Sequence, residues 1–264
     1  MKKLALFLVL CLLSAFGVAY AGDDVQPEIL VNQAAAENGE ALLKGLGLEI
    51  PSYSSLTDYI TREDFVYVMM QLINFRASGN TEETIFEDVS PDSKVSSFLN
   101  GAVALGIVSN AQNFEPDRQV LYAEAMKMTV VALGYAYDAI SYGGYPYGYL
   151  TQANPLGLTK NNRNTTLPEL TYGDFFILMQ NMCETDLRIQ TAFGETNDFD
   201  TTKGVNILTE YFDLYEISGI IEADSNTSLY DYTETTSEGF IKINTVRYQY
   251  DGDYLLGSYI KGYA

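Results

Sequence analysis

Three segments of this chain carry apolar residues at i, i+3, i+4 and i+7, the spacing of one buried face of a helix. They are Phe65, Val68, Met69 and Leu72, then Ala125, Met128, Thr129 and Ala132, then Phe175, Leu178, Met179 and Met182. Aligned on that stripe, Ile73, Leu133 and Cys183 share one slot, so the cysteine reads as a small buried hydrophobe. Each stripe begins just after a helix opening of one shape: Ile60-Thr61-Arg62-Glu63-Asp64, Val120-Leu121-Tyr122-Ala123-Glu124 and Leu170-Thr171-Tyr172-Gly173-Asp174. Fourteen or fifteen positions upstream of each opening stands an apolar Leu-Gly step, at Leu46-Gly47, Leu105-Gly106 and Leu156-Gly157. One helical unit therefore recurs with a period of about fifty to sixty residues, too small to bury its own apolar face, and a shared core among the copies is expected.

The openings have a capping logic. Thr61 with Asp64 and Thr171 with Asp174 have capping-box spacing, in which the hydroxyl accepts an orphan N–H and the carboxylate reaches back to the cap. The middle copy has Leu121 at the cap and keeps only Glu124, which predicts a start weaker by about 1 kcal/mol. The first helices are expected over residues 34–46, weakened by Gly39, and after Pro91-Asp92-Ser93, with Val95, Phe98, Leu99 and Ala102 on one side. In the third copy residues 149–156 give a short helix with Pro155 in its last turn, where it removes a donor and predicts a kink.

Past Cys183 the pattern changes. Residues 185–200 are polar with few periodic apolar positions, and 205–212 suggest a short helix. Residues 214–223, 239–243 and 246–250 are rich in Ile, Val and Tyr, with Asn244-Thr245 as a hairpin turn, and 255–263 add a strand or helix. An edge ending at the last residue suits a fragment or a chain that expects a partner strand.

The chain opens as a secretory leader: Lys2 and Lys3, an apolar run over 4–18, and a small-x-small cleavage site at Ala19-Tyr20-Ala21. Leu10 before Cys11 argues against a lipoprotein site. No later run is long enough to span a bilayer, so no membrane association is expected once the leader is removed. Losing Lys2 and Lys3 takes the formal charge from -20 to -22, which disfavours nucleic acid and anionic lipid as partners and favours cations, including weak calcium binding. Only Cys183 remains after processing, so packing rather than a disulfide must hold the fold. The chain has no His, which removes Ser-His-Asp and Cys-His sets and imidazole metal sites, and it has no phosphate loop; no catalytic residue, metal site or cofactor is assigned. Asp198-Phe199-Asp200 begins like a calcium loop, but Lys203 stands where that loop needs glycine and Thr209 where it needs glutamate.

Phe86-Glu87-Asp88-Val89, Ala104-Leu105-Gly106-Ile107-Val108, Asn113-Phe114-Glu115-Pro116-Asp117-Arg118 and Glu124-Ala125-Met126-Lys127-Met128 follow one another in the middle copy. This order resembles the S-layer homology repeat of bacterial surface proteins, with its F-x-D-V start, L-G-I helix end, F-x-P-D loop and I-T-R-A-E second helix. The likeness spans roughly residues 26–185. It implies three repeats in a three-pronged helical bundle, held noncovalently to the cell wall through an anionic, often pyruvylated, secondary polysaccharide. The family's box arginine contacts the acidic sugar, a role that the resemblance carries to Arg62, beside Thr61. Tyr122 and Tyr172 stand at the equivalent positions, where a ring can stack on sugar but cannot neutralise a carboxylate. The tryptophan usual in the first helix is absent, with Ser93-Lys94-Val95 in its place. Arg118, Lys160 and Arg163 lie near the second and third boxes, either as compensating cations or as solvated loop charges.

Tyr142-Gly143-Gly144-Tyr145-Pro146-Tyr147-Gly148-Tyr149 reads in two ways. Its tyrosines pack where the missing tryptophans would, with Gly and Pro punctuating a linker, or they form a carbohydrate-stacking platform; the packing reading stands first. Taken together, the fold expected is α+β: a mainly helical pseudo-threefold bundle followed by a small β-rich domain. The divisions are a leader over 1–21, repeats over 22–80, 84–138 and 139–187, and a β-rich module over 188–264. The function expected is a secreted, noncatalytic wall anchor with several weak grooves acting multivalently. The alternatives are a surface-lattice protein whose repeats make protein–protein contacts and self-assemble without glycan, and the N-terminal anchor of a longer surface enzyme.

Overall fold

A computed structural model describes residues 31–76, 85–162, 168–192, 198–231, 234–250 and 254–264. The leader and Arg163 lie outside the described residues. In chain order the helices are α1 (Gln33–Gly45), α2 (Arg62–Leu72), α3 (Ser96–Ala104), α4 (Tyr122–Ala132), α5 (Ala136–Ser141), α6 (Tyr147–Ala153) and α7 (Tyr172–Glu184). There follow β1 (Ile189–Ala192), β2 (Asp198–Asp200), α8 (Ile207–Tyr211), β3 (Glu216–Ala223), β4 (Phe240–Ile243), β5 (Val246–Gln249) and β6 (Tyr259–Tyr263). The fold is α+β, helical first and β-rich after.

The second helices of the three copies are α2, α4 and α7, and their N-termini close a ring. Ile60 N–H donates to Leu170 O, Leu170 N–H to Val120 O and Val120 N–H to Ile60 O, each at 3.0 Å. Two residues on, Arg62 N–H donates to Arg118 O (2.8 Å), Tyr122 N–H to Pro168 O (2.7 Å) and Tyr172 N–H to Asp58 O (2.8 Å). The first turn of a helix leaves its N–H groups without intrahelical partners, and here each copy supplies carbonyls to another. This backbone ring is the structural basis of the pseudo-threefold arrangement. Phe65, Met128 and Leu178 all point into the common core beneath it, and Phe65 meets Phe175 edge-on at 5.7 Å.

The first helices pair across copies rather than within them. Helix α3 packs on α2, α6 on α4, and α1 closes the circle on α7. Their ends are made alike: Gly47, Gly106 and Gly157 take φ of 74°, 72° and 76°, and Leu48, Ile107 and Leu158 N–H groups bond back to Leu43, Ala102 and Ala153 O. That is a Schellman end, in which only glycine takes the left-handed step without strain. Helix α6 stops before Pro155 instead of kinking through it, because the ring of Pro155 cannot continue the ladder. Gly39, expected to weaken α1, has a packing reason to be there: a Cβ would lie 2.3 Å from Phe176 O on α7.

The caps follow half of the expected scheme. Thr61 accepts from Asp64 N–H and Thr171 from Asp174 N–H, each at 3.1 Å. Asp64 does not return to its cap, however, since its oxygens take Lys94 Nζ (2.6 Å) and Tyr172 OH (2.8 Å). At α4 the reverse half forms, with Glu124 accepting Leu121 N–H at 3.1 Å.

Beyond α7 the stretch expected to be featureless contains the antiparallel β1–β2 hairpin. Asp198 and Asp200 therefore belong to a strand and not to a cation loop. Arg188 ties the hairpin to the bundle, pairing with Asp138 of α5 and lying over the Tyr135 and Phe199 rings. The remaining four strands form an antiparallel sheet in the order β5-β4-β3-β6, with β4 and β5 joined at Asn244 (φ 48°) and Thr245 (φ 68°). Two successive left-handed residues are what a tight hairpin turn requires. Ile221, Ile241 and Ile243 make a small core for this sheet, separate from that of the bundle.

Candidate functional site

Where the N-terminus of α2 meets α4, a groove of about 400 Å³ opens, lined among others by Arg62, Arg118, Lys127, Glu124, Glu115 and Tyr145. Arg62 enters it as the first residue of α2, held from three sides. Its Nε donates to Phe114 O (2.9 Å), its Nη1 to Glu124 Oε1 (2.9 Å), and its guanidinium lies 5.0 Å from the centre of the Phe114 ring. Arg118 reaches the same carboxylate, donating to Glu124 Oε1 (2.8 Å) and Oε2 (3.1 Å), and pairs with Glu115 at 2.8 Å. Lys127, one turn along α4 from Glu124, donates to Ile107 O (3.3 Å) and Ser109 Oγ (3.1 Å).

The loop that carries Phe114 is itself anchored by Asp88, whose carboxylate accepts Phe114 N–H (2.7 Å) and Glu115 N–H (2.6 Å). The F-x-D-V and F-x-P-D segments thus act together, one fastening the other beneath the arginine. Phe86 and Phe114 pack at 5.5 Å below them.

The electrostatics favour cations ready for an anion. Burial lowers the Arg62 guanidinium and Glu124 opposes that shift, yet a guanidinium stays protonated throughout the physiological range. Burial would raise the Glu124 carboxyl, but hydrogen bonds from Arg118 and Leu121 N–H and the charge of Arg62 outweigh it and hold the group below the usual carboxylate value. Burial, then the charge of Arg62, lowers the Lys127 ammonium. Two arginines thus share Glu124 and Glu115 while Lys127 bonds to neutral oxygens beside them, in a chain whose net charge is -20. The groove therefore holds one cation more than carboxylates, within a molecule whose overall charge repels anions.

The positions equivalent to Arg62 follow the same contact rule with different chemistry. As Arg62 reaches Glu124 of the next copy, Tyr172 OH reaches Asp64 at 2.8 Å. Tyr122 lies in the field of Asp174, whose charge adds to burial in raising the phenol. Both tyrosines are buried, and Tyr172 is stacked under Tyr53 at 4.8 Å, so neither offers an open ring face. Thr61 spends its hydroxyl on the α2 cap. Lys160 is exposed, away from this groove. Of the residues singled out from the sequence, the structure gathers Arg62 and Arg118 in the groove, with Thr61 beside it at the α2 cap. It adds Lys127 and Tyr145, of which Lys127 was signalled by its i, i+3 relation to Glu124 on one helix face. Tyr145 belongs to the Tyr-Gly run read either as packing or as a stacking platform, and only its place beside Arg62 had no local signal.

No family model matches the chain. It is 28% identical over 207 residues to the middle cell wall protein of Brevibacillus brevis, covering 75% of this chain and 19% of that protein. It is 25% identical over 202 residues to a surface layer protein of Brevibacillus choshinensis, covering 74% of this chain and 18% of that one. A cell surface protein of Thermoanaerobacter kivui is 31% identical over 96 residues, 36% of this chain and 12% of the relative. The chain therefore spans about a fifth or less of the length of these relatives.

Proposed function

We propose that this chain is a noncatalytic cell-surface protein that holds an anionic wall polysaccharide in the Arg62 groove. Its similarity to cell wall and surface layer proteins supports the place at the surface and the structural role. Among the described residues no helix is long and apolar enough to cross a membrane. The observation that carries the ligand class is the grouping of Arg62, Arg118 and Lys127 in one groove of a strongly acidic chain. Arg62 supplies the decisive donor, because its guanidinium is held through Nε and Nη1 on Phe114 O and Glu124 and keeps Nη2 for a charge-assisted bond to a carboxylate such as a pyruvate ketal. With Tyr122 and Tyr172 buried, the chain binds through one groove, and avidity for a repeating polymer comes from many chains on one wall.

Cosedimentation with purified cell-wall sacculi tests this. The protein should pellet with intact sacculi, remain in solution when the wall polysaccharide has been stripped, and lose retention as Arg62→Ala. Unchanged retention of Arg62→Ala refutes the groove as the binding site. A second reading, contact between copies in a surface lattice, draws on the sheet, whose outer strands β5 and β6 each have one edge unpaired among the described residues and whose face carries an apolar hollow lined by Ile217, Tyr248 and Ile260. It predicts self-association without affinity for the wall.

A further inference from the structure

The threefold plan has no need of α5 or of the turn that follows it, yet this insertion ends against the groove. Tyr142, Tyr145 and Tyr147 are 58%, 53% and 77% exposed, whereas Tyr149 on α6 is buried. Packing in place of absent tryptophans accounts for Tyr149 and for none of the other three. Their rings stack on no other described ring, and their hydroxyls form no hydrogen bond with the described residues.

The turn is nevertheless rigidly made. Gly143 N–H donates to Ile140 O (3.0 Å), Gly144 N–H to Ala139 O (3.0 Å) and Gly148 N–H to Gly144 O (2.6 Å). Gly148 sits so close to α5 that a Cβ there would lie 2.0 Å from Ala139 O. Exposed aromatic rings carried on a backbone already held in place mark a binding surface, and no loop has to be ordered when they bind. Tyr145 joins this surface to the groove, because it lines the same hollow as Arg62, Arg118 and Lys127. Continuity with a cationic groove selects the occupant: a polymer that carries an anionic unit and, beside it, units with flat apolar faces.

We propose that Tyr145, with Tyr142 at the end of α5 and Tyr147 at the start of α6, forms a stacking subsite for an uncharged pyranose adjacent in the polymer to the acidic sugar held by the cations. The C–H face of a pyranose lies on an aromatic face while its hydroxyls stay at the wet rim, as the phenol does. This subsite rests on the polysaccharide reading of the groove and deepens it: the protein reads more than one sugar unit.

The test is calorimetric titration of the secreted chain with solubilised wall polysaccharide and, separately, with a methyl glycoside carrying a 4,6-pyruvate ketal. The variant Tyr142→Ala/Tyr145→Ala/Tyr147→Ala, folded as wild type by thermal melt because the three rings are exposed, should lose about tenfold or more in affinity for the polymer. Tyr142→Ala/Tyr147→Ala, which leaves the groove-lining Tyr145 in place, should weaken polymer binding by about threefold or more while changing monosaccharide affinity by no more than about twofold, and Tyr145→Phe should keep polymer binding. Arg62→Ala should lose both ligands. If Arg62→Ala loses binding and the triple variant keeps its affinity for polymer, the groove stands and the subsite is overturned. Equal losses for polymer and monosaccharide in Tyr142→Ala/Tyr147→Ala also overturn it, since these residues then only support the groove. Loss of self-association in the triple variant with unchanged polymer affinity assigns the turn to protein contact instead. If wild type binds neither ligand, the groove reading fails and the subsite with it.

Discussion

The closure of the bundle depends on α1 lying against α7, and Gly39→Ala probes that contact directly. Alanine is the better helix former, worth about 0.5–1 kcal/mol over glycine in a helix interior. Packing acts in the other direction. The new methyl would stand 2.3 Å from Phe176 O, 2.7 Å from its carbonyl carbon and 3.3 Å from its Cβ. Two of these atoms are backbone of a buried helix and cannot swing aside as the end of a flexible side chain would. Forcing a methyl into a packed contact costs about 1–3 kcal/mol, and a backbone clash belongs at the upper end, so the net loss should be about 1–2 kcal/mol. The same substitution at Gly45, the last residue of α1, meets no heavy atom within 4 Å and should be neutral or stabilising by up to about 1 kcal/mol. Urea unfolding followed by far-UV circular dichroism gives both values. In thermal melts each kcal/mol should move Tm by about 2–4 °C. If Gly39→Ala is as stable as wild type or more so, α1 does not press on α7 as described, and the ring of helices loses its closing contact.

Other outcomes follow from the groove, the caps and the core. The depressed Glu124 carboxyl stabilises the fold at pH values above the unfolded carboxyl value of 4.5, and that contribution is lost as pH falls through the lower folded value. Glu124→Gln should therefore cost about 1–3 kcal/mol at pH 7, between an exposed and a fully buried ion pair, and the gap from wild type should shrink in acid; a gap independent of pH refutes the assignment. Thr61→Ala removes the hydroxyl that accepts Asp64 N–H and should cost about 1 kcal/mol by chemical denaturation, with a loss below about 0.3 kcal/mol arguing against that cap. Burial, then the neighbouring Glu184 charge, pushes the Cys183 thiol up, so native protein should resist a thiol-labelling disulfide reagent at pH 8 and react fully in urea. Labelling of the native protein at the unfolded rate would contradict the buried slot.

The repeating helices were legible because a helix declares its buried face by spacing alone. Every position of the Phe65 and Phe175 stripes is buried, while in the middle copy Ala132 is half-covered. Strands 3 to 5 and their turn were legible for a similar reason, since β-branched and aromatic runs beside Asn244-Thr245 have few other uses. The β1–β2 hairpin was not, because its stretch lacks an apolar alternation and its hold on the bundle comes from Arg188, a contact remote in sequence. Arg62 was found by motif and Lys127 was within reach of helical geometry.

By itself the sequence determined what is local: that the segments behind the three openings are helical, where those helices start, which face turns inward, and that one opening carries arginine where its counterparts carry tyrosine, while α5 and the bounds of α6 escaped it. Tertiary structure alone decided which copies touch. The N–H groups of one helix start find carbonyls in another copy, first helices pack on second helices of their neighbours, and the slots of Tyr122 and Tyr172 are sealed while that of Arg62 stays open. The physical reason is that spacing along a chain encodes the orientation of a side chain relative to its own helix axis, whereas an open groove depends on what other segments cover, and Tyr53 over Tyr172 or Tyr145 beside Arg62 become neighbours only when the ring closes.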